Sequence, residues 1–170
     1  MSNPYGNLIR DGQVQIDDLR RVDATIAATP PPDAAHYLIP LSLWLAHDTA
    51  LWRMREHRVA LLLEPDADLT VLFAHSPLAV LQNAVRLIAI DFPNYTDGRG
   101  YSLAQLLRHP YGWTGELRAV GDVMIDTMHY LARCGFDSFL LKPGHDPQQA
   151  LAALTTFTRH YQKSYRAPTP

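Results

Sequence analysis

The chain has a single cysteine, Cys134, among 170 residues. That excludes an intramolecular disulfide, and any iron–sulfur cluster or zinc site built from several cysteines of one subunit. Long hydrophobic runs are missing too, since none approaches the roughly 20 apolar residues of a membrane helix. Charge of one sign is not in excess: 15 Lys and Arg face 17 Asp and Glu, for a formal net charge of −2. Such a balance leaves no electrostatic footprint for nucleic acid or an acidic membrane. Met1–Tyr5 carries no basic-then-apolar leader pattern, so the cytoplasm is the expected compartment. With 47% hydrophobic and 19% charged residues, the composition is that of an ordinary soluble globular protein.

Catalytic and cofactor signatures are also sparse. The eight histidines are scattered, without H-x-H or H-E-x-x-H spacing. Gly98-Arg99-Gly100 is not a dinucleotide fingerprint, because Leu103 stands where the third glycine belongs. There is no Walker A lysine and no G-x-S-x-G elbow. These residues predict no metal site and no resident cofactor.

What is present is an alternation. Leu8–Arg10 and Gln13–Ile16 flank Asp11-Gly12, a type I′ hairpin signal. Pro30-Pro31-Pro32 then reads as a linker. Strands are predicted at Tyr37–Ile39, Val59–Leu63, Leu87–Asp91, Glu116–Val120 and Phe136–Leu141. Helices are predicted from Ser42 to about Glu56, from Ser76-Pro77 to about Ala84, from Ser102 to Arg108, from a cap at Asp122 to Arg133, and from Asp146-Pro147 to about Gln162. Leu69–Phe73 is ambiguous between a strand and a helix start. The expected fold class is α/β: one domain with a mainly parallel five-stranded sheet of βα units, doubly wound or a partial TIM-like barrel, plus an N-terminal β-hairpin. Hairpin and linker would occupy 1–32, the α/β domain 33–165, and a fraying tail 166–170.

The most informative stretch is Thr96-Asp97-Gly98-Arg99-Gly100-Tyr101-Ser102. It follows an apolar strand and opens an amphipathic helix, where backbone amides and the helix dipole can hold an anion. Ligands of parallel α/β sheets gather at the carboxyl ends of strands. Val120-Gly121-Asp122 ends the next strand, so the two crossovers can face one crevice. Arg118 lies inside that apolar strand and cannot shed its charge, so it needs a carboxylate or an anionic ligand. Asp91 and Asp122 are its expected partners, with Asp137 on the following strand. Two readings of Arg118 stand: a structural Arg–Asp brace, or an anion-binding group. Polar Glu116 and Arg118 on one strand face also resemble the inner wall of a barrel. Arg99 is either a second anion-binding cation or an exposed loop residue. Tyr101 and Ser102 either supply ligand hydroxyls or, for Ser102, cap the helix.

Three blocks in order carry a resemblance: Asp91–Ser102, Gly115–Val123 and Arg133–Asp137. Together they resemble the DUF934 family, bacterial proteins of unassigned biochemical function. Members are described as probable oxidoreductases of sulfite reduction, because they accompany the haem-containing sulfite reductase of assimilatory sulfate pathways. The chain departs from the usual pattern at Ile125 and Thr127, where an arginine and a glutamine are common, and around Leu69–His75. With no redox site in the motifs, the resemblance implies an accessory of sulfite reduction that assists or binds the sulfite reductase haemoprotein. The alternatives are a small α/β enzyme acting on an anionic metabolite, with Arg99 and Arg118 gripping the anion and Asp91 or Asp122 handling protons, and a flavin- or nicotinamide-dependent reductase.

Overall fold

A computed structural model describes residues 7–23 and 29–156. Asp11 and Gly12 both take positive φ, 53° and 69°, the type I′ geometry that joins β1 (Leu8–Arg10) to β2 (Gln13–Gln15). Six strands then run parallel to one another: β3 (Arg20–Arg21), β4 (Tyr37–Pro40), β5 (Val59–Leu63), β6 (Val85–Phe92), β7 (Glu116–Gly121) and β8 (Ser138–Leu140). Their order in the sheet is β2-β1-β8-β7-β6-β5-β4-β3. The sheet therefore has eight strands, not the expected five. The hairpin joins it: β1 pairs antiparallel with β8 and extends the same sheet.

The helices are α1 (Leu41–Leu45), α2 (Thr49–Arg53), α3 (Leu69–His75), α4 (Leu78–Ala84), α5 (Arg99–Arg108), α6 (Ile125–Arg133) and α7 (Pro147–Thr156). The single helix expected over 42–56 is two short ones. Asp48 accepts the Ala50 N–H at 2.8 Å and starts the second, which returns Trp52 to stack on Trp44 at 5.0 Å. The ambiguous 69–73 segment is helical, capped by Asp68 through Thr70 N at 2.8 Å. Both α5 and α6 start away from their expected caps. The continuation of α7 to Gln162 and the tail at 166–170 lie outside the described residues.

All helices lie on one face of the sheet. The large core joins helix residues Trp44, Leu72, Leu81, Leu107 and Met128 to strand residues Ile39, Leu61, Ile88, Ile90, Leu117 and Phe139. The alternating strand residues Leu38, Ala60, Leu62, Leu87, Ala89 and Val120 form a second, small cluster that no helix joins. Sequential parallel strands with right-handed crossovers give this one-sided winding, and it curls the sheet into a half-barrel. That decides against a doubly wound sheet.

The curl has a second cause in the chain path. Eight strands at about 4.8 Å spacing make a sheet roughly 34 Å wide. Residues 16–19 alone connect β2 on one edge to β3 on the other. From Gln15 to Arg20 the chain reaches at most about 18 Å. The edges must come together, and the four-residue strap crosses the concave mouth. Leu19 packs on the small apolar cluster beneath it.

Candidate functional site

The expected meeting of two crossovers is present. The Asp122 N–H donates to the Phe92 carbonyl at 2.7 Å, and the Tyr95 N–H donates to the Asp122 carboxylate at 3.1 Å. Gly121, at φ 92°, lies against Asp91 Oδ1 and the Phe92 carbonyl. A Cβ there would come within 2.5 Å of both, so only glycine lets the β7 loop close on β6. Asp91, the 93–98 loop, Gly121 and Asp122 thus share the carboxyl rim of the sheet.

The cations on this rim are already paired. Asp97 accepts from the Arg99 N–H at 3.0 Å, from Nε at 3.0 Å and from Nη2 at 2.7 Å. Those hydrogen bonds hold its carboxyl below the ordinary value. A carboxylate of the chain itself therefore occupies the start of α5, where the glycine loop suggested an outside anion. Lys142 approaches Asp122 at 2.7 Å and keeps its carboxyl low, with help from the Tyr95 N–H. Arg21 reaches Glu64 at 3.2 Å and Asp91 at 3.6 Å.

The other residues of the glycine stretch serve packing and turn geometry. Thr96 Oγ1 donates to Asn94 Oδ1 at 2.8 Å in an exposed turn. Gly98 is the N-cap residue of α5 and is exposed. Gly100 is buried beneath Phe92, whose ring tip would lie 2.6 Å from an added Cβ. Tyr101 sits half-buried between Phe92 and Tyr130, at 5.2 and 5.1 Å between ring centroids; burial pushes its hydroxyl up. Ser102 lies inside α5, three residues past its start, and is exposed, so it is not the cap.

Arg118 is not on the rim. It faces the concave side within β7, beside Ala89 and Ser138 in register, and is 1% exposed. Its partners are neither Asp91, Asp122 nor Asp137. Nε and Nη2 donate to Glu116 Oε1 at 3.0 and 2.8 Å, Nε also reaches Ser138 Oγ at 3.2 Å, and Nη1 donates to Asp17 at 2.7 Å. Ser138 Oγ donates to the same Glu116 oxygen at 2.6 Å. Asp91 faces Arg21 at the rim, as described. Asp137 sits at the opposite end of the sheet, accepting from Arg108 Nη2 at 2.5 Å and from the Leu117 N–H at 2.9 Å. The physical reason is register: Arg118 enters the sheet three residues before the strand end, so its side chain cannot reach the rim carboxylates.

Several of these participants were not singled out from the sequence. Asp17 and Lys142 look like ordinary surface residues, and Arg108 like a basic group in a last helical turn. In fact Arg108 also donates to the carbonyls of Trp113, Gly115 and Gly135, each within 3.0 Å. The one legible signal was the polar pair Glu116 and Arg118 on an otherwise apolar strand face.

Two clefts flank the arrangement. One of about 270 Å³ lies at the carboxyl rim, among Ser42, Leu45, Glu64, Asp66 and Asp68. The other, about 590 Å³, opens at the amino end of β7, among Arg10, Asp11, Thr114, Glu116 and Asp137. Among the described residues no group of three His, Cys, Asp or Glu side chains is placed to hold a metal ion, and no helix is long and apolar enough to cross a membrane. Comparison with curated proteins and with solved structures gave no match. A family model, that of a bacterial protein of unknown function, matches residues 61–170. The match takes in both crossovers at the rim and the Glu116–Arg118–Ser138 cluster, and the chain belongs to the DUF934 family.

Proposed function

We propose that this chain is an accessory protein of assimilatory sulfite reduction, which binds the haem-containing sulfite reductase and does not turn over an anion at its own rim. The pathway comes from the family resemblance, and the role from geometry. One observation carries the role: the rim cation proposed to grip an oxyanion, Arg99, is held by a carboxylate of the same chain, Asp97. A tethered carboxylate competes at an effective concentration of millimolar or more. A metabolite at ordinary cellular levels would have to displace it before any chemistry began. That favours a binding role over the small anion-handling enzyme.

Affinity capture tests this reading. The full chain, immobilised, should retain the sulfite reductase haemoprotein, detected by its haem absorbance, and deletion of the gene should slow growth on sulfate with rescue by cysteine. Absence of retention together with unchanged growth on sulfate would overturn the proposal.

A further inference from the structure

We propose that the concave face of the half-barrel contains an oxyanion site, with the strap residue Asp17 sitting in it as an internal stand-in for the ligand. The receptor half is built without the strap. Glu116 Oε1 and Ser138 Oγ, both on the sheet, clamp Nε and Nη2 of Arg118. This fixes the guanidinium plane and turns Nη1 toward the mouth, where Asp17 meets it at 2.7 Å. The Arg118 side chain is 2% exposed and that of Asp17 13%, so Asp17 occupies the solvent side of the pair.

A second guanidinium meets the same strap one residue further on: that of Arg86, at the start of β6. Its Nε and Nη2 are shielded from solvent yet make no hydrogen bond, and the Asp18 carboxylate stands 3.8 Å from Nη2. Buried donors of a charged group are costly to leave unmade. A single strap carboxylate, fixed by the short β2–β3 link, satisfies Arg118 and leaves those donors unspent. A small oxyanion with three or four acceptor oxygens, such as sulfite, sulfate or phosphate, offers more acceptors than that carboxylate, for Arg118 Nη1 and for the free donors of Arg86.

This inference does not rest on the partner reading, and its test leaves that reading untouched. Sulfate, sulfite and phosphate are titrated against Asp17→Ala and wild type, with chloride at matched ionic strength as control, and thermal unfolding is followed. The Asp17→Ala protein should show saturable stabilisation by the oxyanions at concentrations at least tenfold lower than wild type needs. Adding Arg86→Gln should remove most of that gain. If Asp17→Ala does not fold, Asp17→Asn keeps the shape and replaces it. Hydrogen exchange in the wild-type chain gives an independent readout: the Leu19 N–H, which lies 3.4 Å from Asp17 Oδ1, should exchange faster as sulfate displaces the strap. Oxyanion titrations of a folded Asp17 variant that match wild type would overturn the proposal. So would Arg86→Gln having no effect, or Leu19 exchange indifferent to sulfate.

Discussion

Arg118 shows how far a single residue can be read from its neighbours. Its apolar flanks placed it inside a strand, and a guanidinium there needs a carboxylate or an anionic ligand beside it. The partner that completes the arrangement is Asp17, 101 positions earlier, on a strap with no periodic signal to locate it. Asp17 and Asp122 make opposite contributions to acid stability. Burial raises the Asp17 carboxyl, so its contribution is complete below its unfolded value near 3.8 and is lost as pH rises through the folded value. The Lys142 and Tyr95 hydrogen bonds lower the Asp122 carboxyl, so its contribution is present above about 3.8 and is lost as pH falls through the folded value. In urea unfolding from pH 3 to 7, Asp17→Asn should gain stability relative to wild type as pH rises just above 3.8. The deficit of Asp122→Asn should shrink toward acid pH. Two pH-independent differences would remove this account of both carboxyls.

Strands were the most legible elements, because β5, β6 and β7 are apolar runs that only burial on both faces explains. Helix starts were less so. A glycine pair before a helix reads equally well as an anion cradle or as a packing device, and the choice depends on what lies opposite. Here Phe92 lies over Gly100, with its ring flanked by Tyr101 and Phe136. Gly100→Ala sets two effects against each other. Alanine gains about 1 kcal/mol of helix propensity, whereas overpacking a filled core costs about 1–3 kcal/mol. Phe92 is hemmed in on two sides, so the clash wins. We expect net destabilisation of up to about 2 kcal/mol by chemical denaturation; a variant more stable than wild type would show that α5 does not depend on this close approach. The short strands β3 and β8 illustrate the limit at this scale, since two or three residues carry too little pattern to fix their partners.

At the scale of the whole molecule, α/β character was evident from alternation, and the choice between a doubly wound sheet and a partial barrel was not. Alternating βα units are common to both, and only the face on which each helix lands separates them. The deciding feature is an economy of chain: four residues from edge to edge force the curl and seal the concave face. The polar half of that face, Arg10, Glu116, Arg118 and Ser138, lies opposite the apolar half at Leu38, Ala60, Leu62 and Leu87. The strap matches both, with Asp17 over one and Leu19 over the other. The family match begins within β5, so it includes the receptor side of this contact and not the strap.

The most direct measurement is a double-mutant cycle on Asp17 and Arg118 by equilibrium unfolding, using Asp17→Asn and Arg118→Met. If the strap is tied to the sheet through this pair, and the arginine is thereby occupied from within, the two changes should be non-additive with a coupling of about 1–3 kcal/mol. Additivity within about 0.3 kcal/mol would contradict an internally satisfied half-barrel closed by its own strap.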